Sequence, residues 1–383
     1  MTASQPLFDY GARRAALAQR MAGAGIDMMF LPPSADLEYL TGLQRRVATF
    51  GNVGYAHHWV AGALFVPGAE PVFVLPRMIT EFDLPEGVEG EVVTVNESDD
   101  GSAIMGSVLS RFGSIGTLAV GNRAWAQSVI EIGKLAAPGS VVSAEPVMNA
   151  MRRIKTAGEL ELMTRACAIV DTVMAAVEPK VVPGITELEL ATEVSHQMKV
   201  AGSRTDSFDT AVWSMGPLDE RDATVRISQQ QLRPGMGVSF DFGAVVDGYC
   251  SDFGRTIHVG EPNEEYERVY DMVMAAQAAG IAAVRPGVTA AEVHEATRQV
   301  IVDGGYGAWF RHRTGHCIGL DVHELPYISE EDNTALEEGM TFTIEPSVFW
   351  PGHVGVRVED VILCTADGGR KLNDHPTTMI VNR

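Results

Sequence analysis

The second half of the chain carries the same pattern twice, and a duplicated unit restricts the available folds more than composition does. Pro183-Gly184-Ile185-Thr186-Glu187-Leu188-Glu189 returns as Pro286-Gly287-Val288-Thr289-Ala290-Ala291-Glu292, a shift of 103 residues. Gly235-Met236-Gly237-Val238-Ser239-Phe240-Asp241 returns as Gly339-Met340-Thr341-Phe342-Thr343-Ile344-Glu345, a shift of 104. Each copy ends an apolar strand on a carboxylate. A second acid then follows, Asp252 lying 11 positions after Asp241 and Glu359 lying 14 after Glu345. Two such units folded about an approximate two-fold axis bring all four acids to the centre. His316 has no counterpart, since the equivalent place falls near Val212 and Trp213, so the centre is expected to be asymmetric.

A single acid at a strand end is more often a solvated terminus than a ligand. Here each strand is apolar up to its acid, and burying four carboxylates together without compensation costs several kcal/mol and raises their pKa values. Cations remove that penalty. Carboxylate oxygens with one imidazole suit Mn²⁺, Fe²⁺, Co²⁺ or Zn²⁺, and a set this rich in carboxylate can neutralise two adjacent dications. Asp241, Asp252, His316, Glu345 and Glu359 are therefore the candidate metal ligands.

In order and spacing, these five residues resemble the pita-bread metallopeptidase and creatinase family, nearest its prolidase and aminopeptidase P branch. The resemblance is close from about residue 150 onward and only general before it. It implies an α/β domain over residues 1–150 followed by an α+β pita-bread domain over 151–383 with an internal pseudo-two-fold repeat. It further implies that Asp241 chelates one metal, that Asp252 and Glu359 bridge two, and that His316 and Glu345 bind the second. Glu345 would shuttle the proton of the attacking water to the leaving nitrogen. His323 would contact the substrate carbonyl or its oxyanion, the other reading being a group that orients His316. Arg357 would meet a substrate carboxylate or neighbouring acids, or serve as a structural ion pair. In relatives the first domain of one subunit reaches over the other's active site, so a homodimer is expected.

Local signals agree with two α/β layers. An Ala-rich amphipathic helix from Asp9 to Gly25 precedes a strand at Met28 to Leu31, and Ser34 can cap the next helix. Apolar runs at Val60 to Val66, Val72 to Leu75, Val92 to Val95 and Leu118 to Val120, with a helix from Ser102 to Arg111, complete the first domain. The chain crosses over around Met148 to Lys155. Thr156 with Glu159, Thr186 with Glu189 and Thr289 with Glu292 are capping boxes that open helices. Four principal helices then cover a strongly curved antiparallel sheet with the metals in its concave face.

Two departures bear on substrate. The family's histidine some 17 positions before the first metal aspartate is Thr224 here, and the segment from Leu218 to Thr224 has no histidine. Prolidases also hold the dipeptide carboxylate with an arginine, where Pro326 to Asp332 offers Glu330, Glu331 and Asp332. Weak turnover of simple Xaa-Pro dipeptides is expected from these losses. Gln44-Arg45-Arg46 and Tyr55-Ala56-His57-His58-Trp59 are candidate replacements for binding a small anionic or zwitterionic substrate. Arg45, His58 and Trp59 are the chosen contacts, against a solvated loop with a buried tryptophan. His353 is a further candidate, against a surface turn at Pro351-Gly352.

The reading is a dinuclear metal-dependent hydrolase of a C–N bond, Xaa-Pro peptidase-like, with an altered substrate open. A lyase acting on a small carboxylate, resembling the dimethylsulfoniopropionate lyases of this fold, and a non-enzymatic binding module are the alternatives. A net charge of −21 argues against nucleic acid and anionic membranes as partners. With 383 residues and 46% hydrophobic content there is material for two cores. Cys167, Cys250, Cys317 and Cys364 form no paired motif and read as reduced core thiols. No stretch is apolar enough for a membrane helix, and the first residues lack a basic region followed by an apolar one, so a cytoplasmic location is expected.

Overall fold

A computed structural model of the chain describes residues 8–45, 55–217 and 220–382. The first residues, Arg46, Leu218 and Asp219, used in the sequence readings above, lie outside it. The chain forms two compact units, Met1–Arg152 and Arg153–Arg383.

In the first unit a mixed six-stranded sheet runs in the order Glu91–Val95, Val72–Pro76, Gly62–Phe65, Met28–Leu31, Thr117–Val120, Ser140–Ser143. Asp9 caps the helix Tyr10–Gly23 through Ala12 N, and Ser34 caps Ala35–Thr41 through Leu37 N. Met28, Phe30, Leu64, Val74 and Leu118 pack into one core with Met105 and Ile132.

All three capping boxes are formed in the second unit, at the starts of Ala157–Val177, Glu187–Val200 and Ala290–Asp303. The fourth long helix, Glu264–Ala283, is capped by Asn263 instead. Along Ala157–Val177 the residues Met163, Cys167, Val170, Met174 and Val177 are buried, as a 3.6-residue period requires. No helix among the described residues is long and apolar enough to cross a membrane.

The duplication is visible in the strand order. The first copy pairs Ala211–Met215, Met236–Phe242 and Phe253–Val259 in that sequence, and Ile380–Asn382 is added at the edge. The second copy pairs Gly315–Cys317, Thr341–Ile344 and Asp360–Thr365 in the same sequence, with Glu324–Ile328 and Gly368–Lys371 outside. The curved surface is thus two sheets of four and five strands rather than one continuous ladder. They meet where Gly254 pairs with Glu359 in an isolated antiparallel bridge. A hairpin, Ser347–Trp350 with Val354–Arg357, lies between the two acids of the second copy.

Candidate metal centre

Strand register carries the acids to the junction between the copies. In the first copy Asp241 pairs with Gly254 and Phe242 with Phe253, which leaves Asp252 just beyond the ladder. In the second, Ile344 pairs with Asp360, so Glu345 and Glu359 are the next residues outward on each strand. Glu359 N donates to Gly254 O at 2.9 Å, stitching one copy to the other. Only glycine fits at 254, because a Cβ there would lie 2.8 Å from Glu359 Oε2 and 3.1 Å from Arg357 Cδ.

The side chains converge. Asp252, His316 and Glu359 each offer a ligand atom, all within 4.8 Å of one another. His316 Nε2 lies 3.3 Å from Asp252 Oδ2 and 3.5 Å from Glu345 Oε1. His316 Nδ1 donates to Cys317 O at 3.1 Å, a contact that fixes the tautomer with Nε2 as the available donor to a metal. Asp241 Oδ2 accepts from Arg357 Nη1 at 2.6 Å. Arg357 also lies 3.8 Å from Glu345 and 3.8 Å from Glu359. None of the five predicted ligands is more than 8% exposed.

A buried network holds the strand ends behind the acids. Arg255 donates to Glu359 O at 2.7 Å and to Asp360 Oδ1 at 2.7 Å. Gln277 bridges Ile344 O and Asp360 Oδ2. The backbone at both Glu345 and Glu359 is therefore tied to one rigid set of partners, and Thr343 Oγ1 donates to Glu345 Oε1 at 3.1 Å.

The donor set fits divalent cations. Burial pushes the Asp241 carboxyl above its ordinary range, and Arg357 only partly opposes it. Glu359 is pushed up further, by burial and then by the like charges of Asp252, Glu345 and Asp241. Glu345 is raised chiefly by burial. For His316, burial alone acts downward, yet the hydrogen bond to Asp252 and the charge of Glu345 leave the imidazole above its usual value. Two arginines, Arg357 and the part-exposed Arg226, do not balance four carboxylates. Asp252 Oδ1 and Glu359 Oε2 are buried without a hydrogen-bond partner among the described residues, and orphaned anionic oxygens beside a histidine call for a metal.

The remaining candidates are distributed as follows. His323 is exposed with its ring 4.1 Å from that of His316, at the rim of the acid cluster. His353 stacks on Trp350 at 3.5 Å and pairs with Glu265 at 3.2 Å, neither of which is an acid of the centre. Arg45 is buried against Glu38 at 2.6 Å, Trp59 belongs to the core of the first unit, and His58 lies edge-on to Trp125. Thr224 is exposed on its loop. Asp332 is occupied in a turn, accepting from Tyr327 N and Thr334 N.

Two residues that the sequence reading passed over stand near the centre, Arg226 and His312. Arg226 lies 3.6 Å from Asp241 and 4.7 Å above the ring of Trp213, and Arg357 lies 5.5 Å from the same ring. His312 is half-buried, with Nε2 2.6 Å from Ser347 Oγ. Arg226 is two residues past Thr224, within reach of the place where the histidine is lacking. His312 stands four before His316, and the motif starting at Gly315 excluded it.

Two β-strand triplets repeated about a buried acid–histidine cluster define a metallohydrolase of the pita-bread type. Comparison with known proteins agrees at each level. The model of metallopeptidase family M24 matches residues 161–366, and the creatinase/prolidase N-terminal domain matches 13–154. A probable dipeptidase, PepE, of Mycobacterium bovis is 33% identical over 378 residues, 97% of this chain and 96% of that protein. An Xaa-Pro dipeptidase of Pyrococcus furiosus is 40% identical over 231 residues, 60% of this chain and 65% of that protein. The crystal structure of a prolidase from Thermococcus sibiricus superposes with a TM-score of 0.88 at 30% identity, covering 98% of this chain and 100% of that one. The chain belongs to metallopeptidase family M24, and it is a metal-dependent hydrolase of peptide bonds.

Proposed function

We propose that the chain is a dinuclear, manganese-type Xaa-Pro dipeptidase in which Asp241, Asp252, His316, Glu345 and Glu359 hold two ions. The observation that carries this reading is the pair of orphaned oxygens on Asp252 and Glu359 inside a cluster of four buried acids and one histidine. Relatives described as Xaa-Pro dipeptidase and prolidase supply the substrate class. Residues 151–383 form the catalytic domain in this reading and residues 1–150 the accessory one. A cytoplasmic homodimer completes it, and a monomer in light scattering at full activity would remove the dimer.

Bound divalent ions supply an activated water and polarise the scissile carbonyl. Glu345 takes a proton from the water and returns it to the leaving nitrogen. Thr343 Oγ1 donates to Glu345 Oε1 and fixes the carboxylate that carries out both halves of that exchange. His323, at the rim beside His316, donates to the carbonyl oxygen as charge develops there. Arg357, buried among the acids, keeps Asp241, Glu345 and Glu359 together and limits their mutual repulsion. The expected weak turnover of simple Xaa-Pro dipeptides is set against two contacts. Asp332 is engaged in a turn, and Arg226 brings a cation to the region that lacks the histidine.

The test is metal content by mass spectrometry, together with turnover of Ala-Pro, in the parent chain, Asp252→Asn and Glu359→Gln. Both variants are expected to lose bound metal and turnover while keeping the far-ultraviolet spectrum of the fold. Full occupancy with unchanged turnover in either variant would refute the assignment.

A further inference from the structure

We propose that Arg226 anchors the substrate by its free carboxylate and so selects dipeptides over peptides that continue past the released residue. The proposal rests on the peptidase reading above. Its basis is an excess of hydrogen-bond donors on one side of the centre. Arg226 and Arg357 both lie against the ring of Trp213. Trp213 Nε1 and Arg357 Nε are buried without a hydrogen-bond partner among the described residues. The acceptor common to the two arginines is Asp241 Oδ2, at 2.6 Å from Arg357 and 3.6 Å from Arg226. Once cations neutralise Asp241, those donors face a shortage of acceptors. A carboxylate supplies two acceptor oxygens in the plane that a guanidinium matches.

Of the two arginines, Arg226 is the one a ligand can reach. Its side chain is 43% exposed, whereas that of Arg357 is 7% exposed. It is also held in place. Its Nε donates to Ala223 O at 3.2 Å, and Ile227 N donates to Val212 O at 2.8 Å. Glu187, fully buried, accepts from Ser228 N and Oγ and pairs with Arg221, while Asp222 pairs with Arg311 through two bonds. Ile227 adopts a left-handed conformation, φ 53°, which a β-branched side chain disfavours and which persists only where such ties impose it. A guanidinium positioned before binding loses little freedom when the ligand arrives.

The test compares manganese-loaded parent chain, Arg226→Met and Arg226→Lys on Ala-Pro and on its C-terminal amide. In Arg226→Met the ratio of KM for acid to KM for amide is expected to rise by about 10–100-fold, the worth of a hydrogen bond to a charged group, with partial rescue in Arg226→Lys. Calorimetry with L-proline and L-prolinamide is the second readout. The parent chain should favour proline, and Arg226→Met should lose that preference. Equal effects on acid and amide, or a preference for proline that survives Arg226→Met, would overturn the proposal. If the parent chain hydrolyses neither substrate the peptidase reading itself fails, and the calorimetric comparison still decides the arginine.

Discussion

At the scale of single residues, the environment of a titratable group decides what it contributes. His312 sits against Phe310 and Phe349, and burial with the neighbouring charge of Arg357 lowers its pKa to about 3. Its folded value thus lies below the ordinary value of about 6.5 for an exposed histidine. The unfolded chain binds the proton first as pH falls, so stability is lost between about 6.5 and 3, by at most about 1.4 kcal/mol per pH unit. Above that window the group is neutral in both states and contributes no slope. His312→Gln should flatten the dependence of unfolding free energy on pH between 7 and 4.5 by close to one proton, measured by urea titration at several pH values. Identical slopes in the two proteins would mean that the ring titrates normally.

At the scale of elements, the residues 220–230 show how a segment without regular structure is made rigid. Glu187 opens the helix Glu187–Val200 and accepts from Ser214 N, Ser214 Oγ, Ser228 N and Ser228 Oγ. Burial opposes its charge, yet the hydrogen bonds from Arg221, Ser214 and Ser228 hold its pKa below the ordinary value. Removing one partner of such a pair leaves the other uncompensated, at a cost of about 3–5 kcal/mol when both are buried and less here because Arg221 is partly exposed. Glu187→Gln should therefore lower the melting temperature. It should also raise amide exchange at Ile227 and Ser228 while leaving the helix Ala290–Asp303 protected. Unchanged exchange in the loop would show that other contacts hold it.

Whether an element is legible in the sequence follows from the same physics. The capping boxes at Thr156, Thr186 and Thr289 are local and were readable, as were the apolar strands closing on Asp241 and Glu345. The helix Arg77–Phe82 has no capping side chain and no buried residue, and the strand Ser140–Ser143 is exposed at every position. Neither carries a periodic signal. The helix Ala126–Ala136 starts after Trp125 with no side-chain cap, so its beginning was equally silent. Arg226 was missed for a different reason: its position depends on a loop held by Glu187 and Arg311, contacts that span tens of residues and leave no spacing to read.

At the scale of the whole molecule, every proposed ligand lies in one of the two units. Asp241, Asp252, His316, Glu345 and Glu359 all belong to Arg153–Arg383, and the first unit has its own core. A ligand that binds only the folded form stabilises it by mass action, by about 4 kcal/mol at a thousandfold excess over Kd. For a unit of this size that corresponds to a shift on the order of 10 °C. Metal also removes the repulsion among buried carboxylates, so the effect concentrates where the acids are. Two units with separate cores need not unfold together. Scanning calorimetry of the full chain in chelator should resolve two transitions, and Mn²⁺ should move one upward while leaving the other in place. In Glu359→Gln the movable transition should start higher in chelator, because one buried charge is gone, and should respond little to Mn²⁺. A metal-independent pair of transitions would refute the metal centre. A single transition that moves with Mn²⁺ would show that the units unfold as one cooperative body, in which case the metal's stabilisation would extend across residues that hold none of its ligands.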